Sequence, residues 1–295
     1  MPLRLAAAGL LAVFLLPAHA AAGKLVLTGG VTSIDGAAGG GLTPWAVIGT
    51  NATEGEVGGS LTVTAVKTDA YALAVHAAAV AWNDRVELSA ARQDFDTGAT
   101  GAALGLPGLH LRQDVVGAKL RVFGNAVLDS DTWAPQVAVG VEWKRLDAGG
   151  LAPTLASLGA DRRGTDVYVS ATKLLLAQAI LVNGTLRLTR ANQNGLLGFG
   201  GAAHDGPSLQ PEVSLAWLAT RRLAFGAEYR FKPDNLNPSA LGAGLKEDDW
   251  ADLFVAWAPC RNLSITAAWV DLGRIVPAIE AKRQAGGYVS AQVAF

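Results

Sequence analysis

Ionisable residues recur at every second position within otherwise apolar segments of this 295-residue chain. In the segment 222–232, Glu228, Arg230 and Lys232 fall on one face of an extended chain, and aromatic and aliphatic residues fall on the other. An Arg or Lys facing lipid at mid-membrane costs about 2–4 kcal/mol, so such charges should face a polar interior. The alternation predicts the following inward-facing, pore-lining candidates: Glu87, Lys119, Arg121, Glu142, Lys144, Arg187, Glu228, Arg230, Lys232 and Asp252.

Six of these candidates are cationic and four are anionic, which allows two kinds of interior. If opposite charges face each other across water, they create a transverse field that orients polar solutes in a channel. If they pair, the interior is a salt-bridge network and the barrel is closed. Side chains alone fill a barrel of twelve or fourteen strands poorly, so the sequence favours a narrow, partly occluded pore.

The chain shows no pattern typical of a catalytic or metal site. Of the histidines, His76 alternates with small apolar residues and is expected to face the lumen. No His-x-His or Cys-His spacing supplies metal ligands, and no nucleophile with a base and an orienting partner can be named. The single Cys260 excludes an internal disulfide framework and is expected at a tight turn. We therefore predict no catalytic residue, metal or cofactor, and no enzyme.

Two loop segments have an unusual composition. Gly195, Leu196, Leu197 and Phe199 make one loop apolar, which suggests an inward constriction or a contact for an apolar solute, or else packing on neighbouring loops. The acidic stretch 246–249 is expected at the outer rim, either near lipopolysaccharide phosphates and their bridging cations or simply solvated.

Alternation of about ten residues with turns between predicts an all-β, membrane-spanning, antiparallel up-and-down barrel. Short connections alternate with long ones, as expected for periplasmic turns and external loops. The predicted strands are 57–67, 71–81, 84–95, 112–123, 132–144, 165–175, 178–191, 209–219, 222–232, 249–258, 261–271 and 284–295.

The Gly-rich segment 21–56 precedes the predicted barrel, 57–295, and leaves the strand number at twelve to fourteen. Residues 24–27 and 45–49 could form a first hairpin of the wall, and an even strand number requires both or neither. We prefer fourteen strands. The alternative is twelve strands with this segment folded into the lumen as a plug, and Pro44 supports it because proline fits poorly in a strand.

The two ends of the chain predict its compartment. Residues 1–20 have a basic start, an apolar run and a small-residue site, which predicts a signal peptide cleaved after Ala20. The last strand ends in Phe295, the expected signal for the outer-membrane assembly machinery. Both features indicate the outer membrane of a Gram-negative bacterium, with outer-membrane lipids and lipopolysaccharide as partners and a monomer as the default. Several tryptophans, including Trp250, are expected at the membrane rims. Near-neutral charge gives no indication of nucleic-acid binding.

Several stretches resemble an uncharacterised proteobacterial outer-membrane β-barrel family, catalogued as a domain of unknown function. They are residues 27–45, 84–89, 111–120, 191–201 and 232–236. The resemblance covers the mature chain and implies the barrel architecture, but it supplies no catalytic or binding residues.

Three functions follow from these expectations. The leading hypothesis is a narrow passive channel for small solutes. The alternative is a closed structural barrel whose long external loops bind a partner. The third, a barrel-embedded lipid-modifying enzyme, is disfavoured because no nucleophile can be identified.

Overall fold

A closed, antiparallel barrel of twelve strands forms the body of the molecule. The computed structural model describes residues 24, 26–127, 132–239 and 242–295. Each strand pairs with its sequence neighbour, and the last pairs with the first, as in Ala291 opposite Val63. The wall strands are β3 Val57–Thr68, β4 Ala72–Trp82, β5 Val86–Asp96, β6 His110–Phe123, β7 Gln136–Asp147, β8 Arg163–Leu175, β9 Ile180–Thr189, β10 Ser208–Thr220, β11 Leu223–Arg230, β12 Trp250–Cys260, β13 Leu263–Asp271 and β14 Ala285–Ala294.

The structure confirms the all-β membrane-barrel prediction, but the preference for fourteen wall strands is wrong. In the described part of residues 24–56, the only strands are β1 Val31–Thr32 and β2 Ala38–Gly39, which pair with each other. Neither joins the wall, because β3 and β14 already satisfy each other's backbone groups. The signal peptide predicted over 1–20 lies outside the described residues.

Residues 31–50, which we call the plug, are buried without exception. Their glycines allow the chain to fold tightly against the inner wall. At Gly40, a Cβ atom would lie 2.0 Å from Oε1 of Glu228, so any side chain there would push this carboxylate away from the plug. The plug therefore occupies the lumen as a compact segment, with its own short β1–β2 pair, rather than as part of the barrel sheet.

The C-terminal residue extends the barrel seam between β14 and β3. The backbone of Phe295 exchanges hydrogen bonds with Gly59 of β3, at 2.8 and 2.9 Å. A Cβ atom on Gly59 would lie 2.9 Å from Cζ of Phe295, so the aromatic ring packs directly over this glycine. Recognition of Phe295 by an assembly machinery stays a prediction.

The outer and inner faces of the wall differ in chemistry. Large apolar residues such as Leu88, Leu215 and Trp257 are exposed on the outer face. The end of the barrel that carries the long connections is called the external end here. Near that end of β5 and β6, the outer face is instead charged, and Arg92 forms a bidentate pair with Asp114. The apolar band typical of a membrane barrel therefore ends below this charged row.

External connections include two short helices, α1 Gly98–Ala103 and α2 Ala152–Ser157. A turn, Asn192–Gly195, lies in the connection between β9 and β10, and Gln193 and Asn194 within it have positive φ angles. Within the described ranges, none of the helices has the length and apolar character needed to cross a membrane.

Candidate functional site

The lumen is the candidate functional site, since the alternation of the strands directs most of the predicted charges there. Arg121 lies half-buried at the turn end of β6, 2.7 Å from Asp84. Lys232 lies just beyond β11, with its side chain buried at the external mouth. The other eight candidates are all buried on the inner face of the wall: Glu87, Lys119, Glu142, Lys144, Arg187, Glu228, Arg230 and Asp252.

A network of ion pairs, which we call the central cluster, lies in the half of the wall nearer the long connections. Arg187 binds Glu142 at 2.7 Å and Glu212 at 2.6 Å, and Lys144 binds Asp166 at 2.9 Å. Sequence reasoning missed Asp166 and Glu212, although both fall on the inner face by alternation. The central cluster consists of three cations and three anions of the wall: Lys144, Arg187, Arg230, Glu142, Asp166 and Glu212.

The plug adds one carboxylate to this cluster. Asp35 lies 3.2 Å from Nζ of Lys144 and 3.1 Å from Nη1 of Arg230, and it accepts a hydrogen bond from Asn194 at 2.6 Å. Burial alone would raise the pKa of Asp35, but the two cations and Arg187 beyond them lower it below its usual range. Asp35 is therefore held as a carboxylate, and it ties the plug to the wall.

The wall also binds the backbone of the plug. Glu87 accepts hydrogen bonds from the amides of Ala38 and Gly49, at 2.9 and 2.6 Å. Lys119 donates to the carbonyls of Ala38 and Val47, and it pairs with Glu87 at 3.2 Å. Backbone groups that would be unsatisfied in a dry interior are thereby satisfied by a buried ion pair.

A second set of wall side chains holds the middle of the plug. Glu228 accepts hydrogen bonds from the amide of Leu42 at 2.7 Å and from the hydroxyl of Thr43 at 2.5 Å. The carbonyl of Pro44 accepts hydrogen bonds from Ser170 and Thr185. Polar contacts from β8, β9 and β11 therefore converge on residues 42–44.

The apolar loop after β9 folds inward and covers the plug from the external side. Gly195, Leu196, Leu197 and Phe199, the constriction-loop candidates, are all buried. In the turn before them, Asn194 has a positive φ of 61° and directs its side chain oxygen to both Lys144 and Arg230. The loop, the plug and the central cluster thus form one contiguous layer.

Lys232 and Glu247 hold the external mouth together. Their side chains lie 3.1 Å apart, and both also bind Gln193 of the inward loop. Burial lowers the pKa of Lys232 to about 8, against the opposing effect of Glu247, and burial raises the pKa of Glu247. Trp250 is buried beneath Lys232, with its ring 4.3 Å from Nζ, so the prediction of Trp250 as a rim residue is wrong. Trp250 faces inward because it lies two residues before Asp252 in β12, and both side chains therefore lie on the inner face of the strand.

On the opposite side of the plug, the lumen opens into a vestibule of about 530 Å³ that is lined by both polar and apolar side chains. Lys24, Asp84 and Arg121 line it and form a chain of ion pairs at 2.6 and 2.7 Å. Val47 and Ile48 of the plug form its inner end. The lumen is therefore open on the turn side of the plug, with charged groups in its lining, and the plug closes the inner end of this space.

The prediction that His76 faces the lumen is wrong. His76 is exposed on the outer face of β4, opposite Arg92 in the sheet. Its neighbours Leu73 and Val75 face inward, where they join a buried apolar cluster with Ile34 of the plug. The inner face of β4 is apolar because it packs on apolar groups at the external end. Residues of the described ranges form no group of three or more potential metal ligands.

This closed wall, with an apolar exterior and a charged interior, is that of an outer-membrane β-barrel protein. The chain belongs to the family described as "Protein of unknown function (DUF3034)", whose profile matches residues 28–292. No curated protein matches its sequence.

A solved porin shares the fold. A KdgM porin in complex with disordered oligogalacturonate aligns with a TM-score of 0.52 and 9% identity, over 80% of this chain and 99% of that chain, and at this identity the likeness shows the fold alone. A NanC porin aligns with a TM-score of 0.49 and 8% identity, over 79% of this chain and 98% of that chain. Outer membrane phospholipase A from Escherichia coli aligns with a TM-score of 0.43 and 7% identity, over 79% of this chain and 89% of that chain.

Proposed function

We propose that the protein is an outer-membrane channel for small solutes, held closed in this state by its own N-terminal plug. The observation that carries the proposal is that the plug fills the lumen without taking part in the wall. All twelve wall strands complete their pairing between residues 57 and 294. The plug can therefore be displaced without opening the barrel.

The charges of the wall support a displaceable plug. Without Asp35, the central cluster contains three cations and three anions, which already pair with one another. Ionised groups that pair within the wall keep partners when the plug leaves, and water can hydrate them. A plug with a purely structural role would stabilise the barrel at least as well with apolar contacts, because buried ion pairs often give no net stability over hydrophobic residues.

The vestibule supports a path on the turn side of the barrel. It is about 530 Å³ in volume and ends at Val47 and Ile48 of the plug. A solute that passed the plug would enter a space whose lining includes the charged side chains of Lys24, Asp84 and Arg121. In this proposal, the plug and the inward loop together form the constriction of the path. The predicted wall charges line the pore.

Planar-bilayer recordings of the purified mature chain test this proposal. We expect long closed periods interrupted by discrete conductance steps. A complete absence of steps at every voltage and ionic strength would contradict a channel.

The second candidate is a closed structural barrel, which the dense contacts of Asp35, Glu87 and Glu228 with their partners favour. A barrel of this kind would stay silent in recordings, and its activity would reside in the external loops. Loop deletions that abolish a binding activity while the barrel stays sealed would favour it.

We also propose the partners that follow from this location. The apolar outer band faces acyl chains, and the charged row with Arg92 lies where the phosphates of lipopolysaccharide are expected. The strand ending at Phe295 is the proposed contact for the assembly machinery. Co-purification of lipopolysaccharide that is lost in Arg92→Ala, and failed insertion of a Phe295 deletion, would test these two contacts.

A further inference from the structure

An apolar cavity of about 80 Å³ lies under the external loops, outside the polar lumen. Six connections contribute to it: the one between β3 and β4, those that contain α1 and α2, the inward loop, the one between β11 and β12, and the one between β13 and β14. The side chains that define its shape are Phe95, Leu111, Leu155, Leu197, Leu236 and Ile275.

The walls of the cavity present hydrocarbon only. Tyr71 stacks on Phe95 with ring centroids 5.4 Å apart, which forms a flat aromatic side. Its hydroxyl is hydrogen-bonded to Thr100 at 2.5 Å, and Thr97 donates to the carbonyl of Leu109 at 2.8 Å. Because these hydroxyls are paired, they do not offer a water molecule the partners it needs.

The cavity has an opening to the outside and a connection to the plug. Leu104 and Ile279 line its rim and are 44% and 36% exposed. On the inner side, Leu197 lies three residues after Asn194, the residue that binds Asp35. The buried apolar cluster that includes the cavity walls also includes Ile34 of the plug.

A gap of this size in a packed interior reduces stability in proportion to its volume. Apolar cavities of this kind stay dry and accept apolar guests, and a cavity of about 150 Å³ binds benzene or xenon. A cavity of 80 Å³ in the observed conformation suits xenon or a short hydrocarbon, and larger guests require the loops to open.

We propose that this cavity is a binding site for a small apolar solute that arrives from the external side. This binding role is independent of the proposed channel function.

Crystals of the full mature chain under xenon pressure test the site directly. We expect an anomalous xenon peak in the cavity of the wild type. The peak should be lost in Leu158→Trp, because Leu158 lines the cavity and an indole would fill it. It should persist in Leu209→Trp, a matched change at a residue that is 59% exposed on the outer wall.

A second variant keeps the test decisive if Leu158→Trp fails to fold. Leu155→Ala enlarges the cavity, and we expect a higher xenon occupancy there. Absence of xenon from the cavity in both wild type and Leu155→Ala would overturn the proposal, as would a peak unaffected by Leu158→Trp. Xenon in the cavity of a barrel that never conducts would support the binding site and contradict the channel proposal. Conductance without xenon in the cavity would support the channel proposal and contradict the binding site.

Discussion

Replacing Asp35 by asparagine should loosen the plug and raise the open probability of the channel. Asp35 is the carboxylate by which the plug joins the central cluster, at 3.1 Å from Arg230 and 3.2 Å from Lys144. Asparagine has nearly the same shape, but it removes the charge that attracts both cations. The closed state loses this interaction, whereas an open state with a displaced plug never has it.

The size of the change in the open-to-closed ratio depends on which carboxylate partners Lys144 and Arg230 keep after the substitution. Removing one member of an isolated buried ion pair costs about 3–5 kcal/mol, because its partner is left uncompensated. Here Lys144 keeps Asp166 at 2.9 Å and Arg230 keeps Glu212 at 3.2 Å. The loss is therefore closer to that of a hydrogen bond to a charged group, about 1.5–3 kcal/mol. This corresponds to an increase of about 10-fold to about 150-fold in the open-to-closed ratio.

Single-channel recordings of the wild type and Asp35→Asn at one voltage and salt concentration measure this ratio. The matched control is Asp114→Asn, which breaks the exposed outer-wall pair with Arg92 and should leave gating unchanged. Equal open probabilities in Asp35→Asn and the wild type, with both proteins folded, would refute the role of Asp35 in closure.

Two further predictions concern the plug and the external loops. Gly40→Ala places a Cβ atom 2.0 Å from the Glu228 carboxylate and should also raise the open probability in recordings, whereas Gly184→Ala, which has open space around it, should not. At the external rim, hydrogen bonds from Arg274 lower the pKa of Asp248 from 3.8 to about 2. The stability that this ionised pair gives the loop is therefore present above pH 4 and lost as the pH falls through about 2. Hydrogen exchange in the loop before β14, corrected for the intrinsic rate, should accelerate over that interval, and Asp248→Asn should already show faster exchange at pH 7. Unchanged exchange in both experiments would contradict the role of this pair.

The wall could be predicted from the sequence because its period is local. In β11, Glu228 and Arg230 alternate with apolar residues, and this pattern alone determines which side chains face inward. Strand positions and long connections followed to within a few residues.

The plug could not be derived in the same way. Residues 33–36 have no periodicity, so nothing local marks Asp35 as the partner of Lys144, which is more than one hundred residues away. The choice between wall hairpin and plug depended on closure of the barrel, a global property. Pairing among the inward charges likewise depends on register across several strands.

His76 shows why a single polar residue misleads. Apolar residues occupy both faces of β4, so His76 was the only apparent marker of a wet side. The interior next to β4 is in fact apolar, since Leu73 and Val75 pack with Ile34 of the plug. Alternation identifies two faces, but the contents of the lumen decide which face is polar.

The most direct test of the account is the conductance of a refolded chain that begins at residue 57. Its twelve strands retain every wall pairing seen in the full chain. We predict a steadily open pore with a larger conductance step than the intact protein shows. A folded, heat-modifiable barrel of this length that conducts no ions would contradict the claim that the plug closes the lumen.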